Sequence, residues 1–80
     1  MKRAEILKRV GSYRRQFRNH FGISVTDVAR CAGLQTTNSV YKFEQGKVDS
    51  FIIYAAYEMA VQEKGGELNE RFRLPDNDTD

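Results

Sequence analysis

The chain has 80 residues, enough for one small domain and too few for a second hydrophobic core. Hydrophobic residues make up 40% of it and charged residues 30%, a composition typical of globular proteins rather than of disordered or membrane-spanning chains. No apolar run approaches the roughly 20 residues of a membrane span, and charges interrupt any apolar signal-peptide region, so we expect a cytoplasmic protein without a membrane partner. The single cysteine, Cys31, and the single histidine, His20, exclude an internal disulfide and make a zinc site implausible, so we expect no metal and no cofactor.

Basic residues are concentrated in the first part of the chain. Residues 1–47 hold ten Lys and Arg against three Asp and Glu, whereas residues 48–80 hold three against eight. A polyanion would attract the basic part and repel the acidic one. A solvated basic helix surface explains the same pattern equally well.

The first predicted element is a helix over about residues 4–21. Its apolar residues recur every three or four positions, at Ile6, Val10, Tyr13, Phe17 and Phe21. Gly11 lowers helix stability by about 1 kcal/mol relative to Ala, which predicts either a later start or a bend there. Gly22 follows in the position of a left-handed C-terminal cap.

Two short helices come next. Ser24 is the predicted N-cap of the first, with Asp27 three residues later, and Gly33 marks its end. The second spans about residues 37–45 and turns Val40 and Phe43 inward. Its start is capped by Thr36 or Thr37 in one interpretation.

The last predicted helix follows the capping signal Asp49-Ser50 and is apolar almost all round. Such a helix is buried on more than one side, either by a second subunit or by the apolar residues of the C-terminal segment. Residues 67–74 fit a strand or a helical turn, and residues 75–80 are an acidic tail that we expect to be flexible. The pattern predicts an all-α bundle of four to five helices forming one domain over residues 1–74.

The two short helices, joined at Ala32-Gly33-Leu34, form a helix-turn-helix pattern. Together with the segment from Val40 to Lys47 and the apolar helix up to Met59, they resemble the Cro/C1-type helix-turn-helix family of phage repressors and Xre-like regulators. The interval from Gly33 to Glu44 is one residue longer than is usual in that family. The resemblance implies a lambda repressor-like fold and a transcriptional regulator, most simply a repressor, that inserts helix 37–45 into the major groove of double-stranded DNA.

Candidate DNA-contacting residues follow from side-chain chemistry and from this resemblance. Asn pairs with adenine, Lys donates to guanine, and Ser or Thr bonds to either base. The candidate base contacts are Thr37, Asn38, Ser39, Tyr41 and Lys42. Amides at a helix start and exposed basic side chains bind phosphates, which gives Ser24, Thr26, Arg14 and Arg15 as candidates. The resemblance adds Gln45, Gly46 and Lys47 as a phosphate clamp, and it implies a structural ion pair between Arg18 and Glu44.

We expect a homodimer on a palindromic site. Its predicted interface combines the apolar helix with the C-terminal segment and contains Ile52, Ile53, Tyr57, Val61, Leu68, Phe72 and Leu74. The alternative is a protein-interaction module on the same fold, an antirepressor or an inhibitor of another protein. We expect no enzyme, because the sequence has no second histidine, no acid pair in an identifiable pocket and no glycine-rich phosphate loop.

Overall fold

The structure is a computed structural model that describes residues 1–64. This part of the chain forms four α-helices and no strand: α1 (Arg3–Phe21), α2 (Val25–Cys31), α3 (Asn38–Glu44) and α4 (Phe51–Lys64). The predicted all-α bundle is confirmed. None of these four helices has the length and hydropathy of a membrane span. The predictions for residues 67–74 and for the tail at 75–80 lie outside the described residues.

Helix α1 runs unbroken through Gly11. The low helix propensity of Gly11 predicted either a later start or a bend, and the later start is wrong. Gly11 is instead the point at which α1 meets the end of α3. A Cβ atom placed on Gly11 would lie 2.4 Å from the carbonyl oxygen of Phe43 and 2.7 Å from that of Glu44. Only glycine fits such an approach of two backbones. The helix ends as predicted, at Gly22 in the left-handed conformation.

The buried face of α1 differs from the predicted apolar stripe. Ile6 and Tyr13 are 46% and 57% exposed, whereas Gly11 and Arg14 are buried. The helix is therefore rotated about its axis relative to the predicted stripe. The close approach of α3 at Gly11 and the long Arg14 side chain beneath α4 account for this rotation.

Local capping positions the two short helices. The Ser24 hydroxyl accepts a hydrogen bond from the Asp27 amide at 3.0 Å, and the Asp27 carboxylate accepts one from the Ser24 amide at 3.0 Å. This reciprocal arrangement confirms the predicted start of α2. Helix α2 ends at Cys31, two residues before the predicted Gly33. Thr37 occupies the N-cap position of α3, but its side chain makes no capping hydrogen bond.

The core lies between the helices and is filled by side chains from every helix after α1. Helix α2 packs mainly on α4, and α1 packs on α3 and α4. The Ser50 hydroxyl caps α4 by accepting a hydrogen bond from the Ile53 amide at 3.1 Å, as the sequence predicts. The buried hydrophobic residues are Ile23, Val25, Val28, Ala29, Val40, Phe43, Ile53, Ala56, Tyr57, Ala60 and Val61.

Candidate nucleic-acid interface

Helix α3 is fixed to the core by one face and open to solvent on the other. Val40 is fully buried and Phe43 is 3% exposed, as predicted. Asn38, Tyr41 and Lys42 are exposed. The amide, hydroxyl and ammonium groups of these three side chains are therefore available to a ligand along one side of a short helix.

Two other candidate base contacts are placed differently. Thr37 is half-buried at the start of α3, beside the exposed residues. Ser39 is also half-buried, but it lines a depression with Leu34 and Ile52, on the side of α3 that meets α4. Ser39 thus lies at the edge of the exposed face, because it is four residues before the buried Phe43 and on the same side of the helix.

At the start of α2, both amides of the capping box are already occupied. Ser24 and Asp27 use their N–H groups for each other. The hydrogen bond from the Ser24 amide lowers the pKa of Asp27, so this carboxylate stays ionised. Ser24 is therefore foremost a cap. Its hydroxyl proton and the exposed Thr26 hydroxyl remain the side-chain donors that can meet a phosphate.

The loop after α3 lies against α1. Gln45 and Lys47 are exposed, and Gly46 has a positive φ of 78°. A Cβ atom on Gly46 would lie 2.7 Å from the Lys8 Cα, so the backbones of the loop and of α1 touch here. Lys8 thereby joins the predicted phosphate clamp as a neighbour. The basic charge of Lys8 is visible in the sequence, but nothing in the local pattern indicates a contact between residues 38 positions apart.

The predicted pair of Arg18 and Glu44 is present and has a third member. Arg18 donates to Glu44 from Nε at 2.8 Å and from Nη2 at 3.1 Å, a two-pronged geometry. The Tyr57 hydroxyl donates to Glu44 Oε2 at 2.8 Å. The hydrogen bonds with Glu44 raise the pKa of Arg18. The pKa of Tyr57 is also raised, mainly by burial and secondly by the hydrogen bond that Tyr57 donates to Glu44. The network links the end of α3 to both α1 and α4.

Arg14 is not a phosphate contact, and this prediction is wrong. Its side chain is 1% exposed, and its guanidinium lies 3.8 Å from the centre of the Tyr54 ring and 4.8 Å from that of Phe17. Nη2 donates to Glu58 at 3.0 Å, while Nε and Nη1 have no hydrogen-bond partner within the described residues. Aromatic side chains from α1 and α4 accommodate the cation, and a pattern of charges alone cannot show this.

The remaining cations divide into paired and unpaired groups. Arg3 pairs with Asp49, and Arg30 pairs with Glu63 and Asp27. Within residues 1–64, no ion pair involves the six cations Lys2, Lys8, Arg9, Arg15, Lys42 and Lys47. Four of these six, Lys8, Arg15, Lys42 and Lys47, lie on α3, on the loop that follows it, or on the part of α1 that borders them. Unpaired positive charge is thus concentrated around α3.

The predicted subunit interface needs correction. Ile53, Tyr57 and Val61 are at most 6% exposed and belong to the core, because the inner face of α4 packs on the other helices. Ile52 is 62% exposed and stays a candidate. Leu68, Phe72 and Leu74 lie outside the described residues. Phe51 and Tyr54 are also exposed on α4 and line a groove together with Ile6, whereas Ile52 lines a separate depression.

Within the described residues, no group of three or more His, Cys, Asp or Glu side chains is arranged to hold a metal ion. Comparisons of the chain with protein-family models, with curated proteins and with solved structures give no match. The interpretation of the site therefore depends on the chemistry and placement of its own residues.

Proposed function

We propose that the protein binds double-stranded DNA sequence-specifically and acts as a transcriptional repressor of the Cro/C1 type. One observation carries the proposal: α3 exposes Asn38, Tyr41 and Lys42 while unpaired cations surround it on α1 and on the following loop. A helix anchored by one face and bordered by free positive charge suits the major groove of DNA.

In this proposal the exposed side chains of α3 have different tasks. Asn38 pairs with an adenine and Lys42 donates to a guanine, so these two residues select the sequence. Thr26, Gln45 and Lys47 contact phosphates and hold the duplex in register without distinguishing bases. Helix α2 then crosses the sugar-phosphate backbone while α3 occupies the groove.

The proposal includes a homodimer that places two α3 helices about 34 Å apart on a palindromic site. Ile52 and the exposed neighbours Phe51 and Tyr54 supply apolar surface for the contact. Size-exclusion chromatography with light scattering is expected to show a dimer at micromolar concentration. The double variant Phe51→Ser with Ile52→Ser is expected to be a folded monomer, and a wild-type chain that stays monomeric would contradict the dimer.

The function is tested by selecting bound sequences from random duplex DNA. The wild-type protein should enrich a two-fold symmetric motif, and the double variant Asn38→Ala with Lys42→Ala should lose it. A matched control, Gln16→Ala with Lys2→Ala, removes an amide and an ammonium group from exposed positions of α1 and its N-terminus, and it should retain the motif.

A protein-interaction module is the second candidate, and the exposed apolar residues favour it. Phe51 is 81% exposed, and Ile6, Leu7, Val10 and Tyr54 line a groove of about 320 Å³ beside it. Exposed apolar surface of this kind often marks a protein contact. Failure of a folded wild-type protein to enrich any duplex would favour this candidate over DNA binding.

A further inference from the structure

A polar groove separates α1 from the second half of α3. It has a volume of about 260 Å³ and is lined by Arg15, Arg18, Tyr41, Glu44 and Gln45. Arg15, Tyr41 and Gln45 are exposed, and they come from two elements that meet along the groove. The groove thus joins a guanidinium, a phenol and an amide at one edge of α3.

The one carboxylate in this groove is already neutralised. Glu44 accepts two hydrogen bonds from Arg18 and one from Tyr57, and its side chain is only 7% exposed. Both of its oxygens are therefore engaged inside the protein. Arg15, in contrast, has no carboxylate partner among residues 1–64. The groups that remain open to a ligand can all donate hydrogen bonds, and the net charge of the groove is positive.

We propose that this groove binds a phosphodiester group of the DNA strand that borders α3. Arg15 supplies the charge, and the Tyr41 hydroxyl and the Gln45 amide donate hydrogen bonds to the phosphate oxygens. The proposal rests on the DNA-binding function above and deepens it. It assigns Tyr41 to the DNA backbone instead of to a base, because the groove that Tyr41 lines is shared with α1.

The test measures how DNA affinity depends on salt, using the motif selected by the wild-type protein. Each neutralised phosphate contributes about 0.9 to the slope of log K against log salt for duplex DNA. Arg15→Gln, which removes the charge, should lower this slope by about 0.9. The ratio of wild-type to Arg15→Gln affinity should then fall about 3.5-fold between 50 and 200 mM salt, because the wild type loses more affinity as salt rises. Arg9→Gln is the matched control, since Arg9 is exposed on α1 outside the groove, and its slope should equal that of the wild type.

Tyr41→Phe separates backbone from base contact. It should weaken binding by a similar factor on the selected motif and on unrelated duplexes, and it should leave the selected motif unchanged. A changed motif would overturn the assignment of Tyr41 to the backbone. A slope for Arg15→Gln that equals the wild-type slope would overturn the role of Arg15.

Two further outcomes separate this inference from the function on which it rests. If the folded wild-type protein binds no duplex, the proposed function and the groove's ligand are both wrong. Titration with inorganic phosphate alone, at constant ionic strength, identifies a site for free anions. Saturable phosphate binding that Arg15→Gln abolishes, combined with unchanged salt slopes on DNA, would show that the groove does not bind DNA.

Discussion

Replacing Gly11 with alanine is expected to destabilise the protein by about 2 kcal/mol, although alanine is the better helix former. The added Cβ would lie 2.4 Å from the Phe43 carbonyl oxygen and 2.7 Å from that of Glu44, whereas ordinary contacts begin near 3.4 Å. Helices α1 and α3 must therefore separate by about 1 Å. Both obstacles are backbone atoms, so no side-chain rotation can relieve them.

The magnitude follows from two opposing effects. Overpacking of this kind costs about 1–3 kcal/mol, and rigid backbone on both sides places this case at the upper end. The higher helix propensity of alanine offsets about 1 kcal/mol of this cost, so the free energy of unfolding should fall by about 2 kcal/mol in total. For a domain of this size the midpoint of thermal unfolding should fall by roughly 8–16 °C.

Urea unfolding followed by far-UV circular dichroism measures the change. Ser12→Ala is the control, because Ser12 is the exposed neighbour on the same helix and its replacement should alter stability by only a few tenths of a kcal/mol. Helix propensity acting alone would make Gly11→Ala about 1 kcal/mol more stable than wild type. A variant as stable as wild type, or more so, would refute the close approach of α1 to α3.

Four other predictions concern the polar groups of the bundle. Arg14→Met should change the free energy of unfolding by no more than about 1 kcal/mol and leave DNA affinity unchanged. Arg14→Ala should lower the free energy of unfolding by about 3 kcal/mol, because it leaves an unfilled cavity. If chemical denaturation shows Arg14→Met to be the less stable variant, the buried placement of Arg14 is contradicted. Glu44→Ala should cost about 3 kcal/mol because it leaves a largely buried arginine without its carboxylate, and Tyr57→Phe should cost about 1 kcal/mol, both measured by urea unfolding. The raised pKa of Tyr57 adds stability that is complete below its ordinary value of 10.0 and declines as pH rises above it, so Tyr57→Phe should show a shallower alkaline loss of melting temperature. Ser24→Ala should cost about 1 kcal/mol. The lowered pKa of Asp27 adds stability that is present above its ordinary value of 3.8 and lost as pH falls further, so an acid titration of the Asp27→Asn variant, which lacks this carboxylate, should show a smaller loss than that of wild type.

Local signals in the sequence predicted local structure well. The Ser24 capping box, the Gly22 terminus and the inward pair Val40 and Phe43 all depend on residues within a few positions of one another, and the structure confirms them. The resemblance to Cro/C1-type regulators added one distant contact, that of Arg18 with Glu44. Such a pair cannot be derived from spacing within one helix.

Contacts between distant helices account for the errors. Arg14 carries a charge, so a pattern of charges places it on the surface, yet the rings of Tyr54 and Phe17 surround it in the folded chain. Tyr57 belongs to an apolar helix, and the hydrogen bond from its hydroxyl to Glu44 depends on the packing of α4 near the end of α3. Partners of this kind are set by tertiary packing, which local periodicity does not encode.

The second half of α3 is held much more firmly than its beginning. Glu44 is bonded to both α1 and α4, Gly11 admits the last carbonyls of the helix, and Gly46 places the following loop against Lys8. The first residues of α3 have no side-chain cap, and Val40 is the one buried side chain there. If the chain binds DNA as proposed, this arrangement would hold the residues assigned to phosphates in a fixed position. The polar network at the end of α3 therefore belongs to the proposed function as well as to the stability of the bundle.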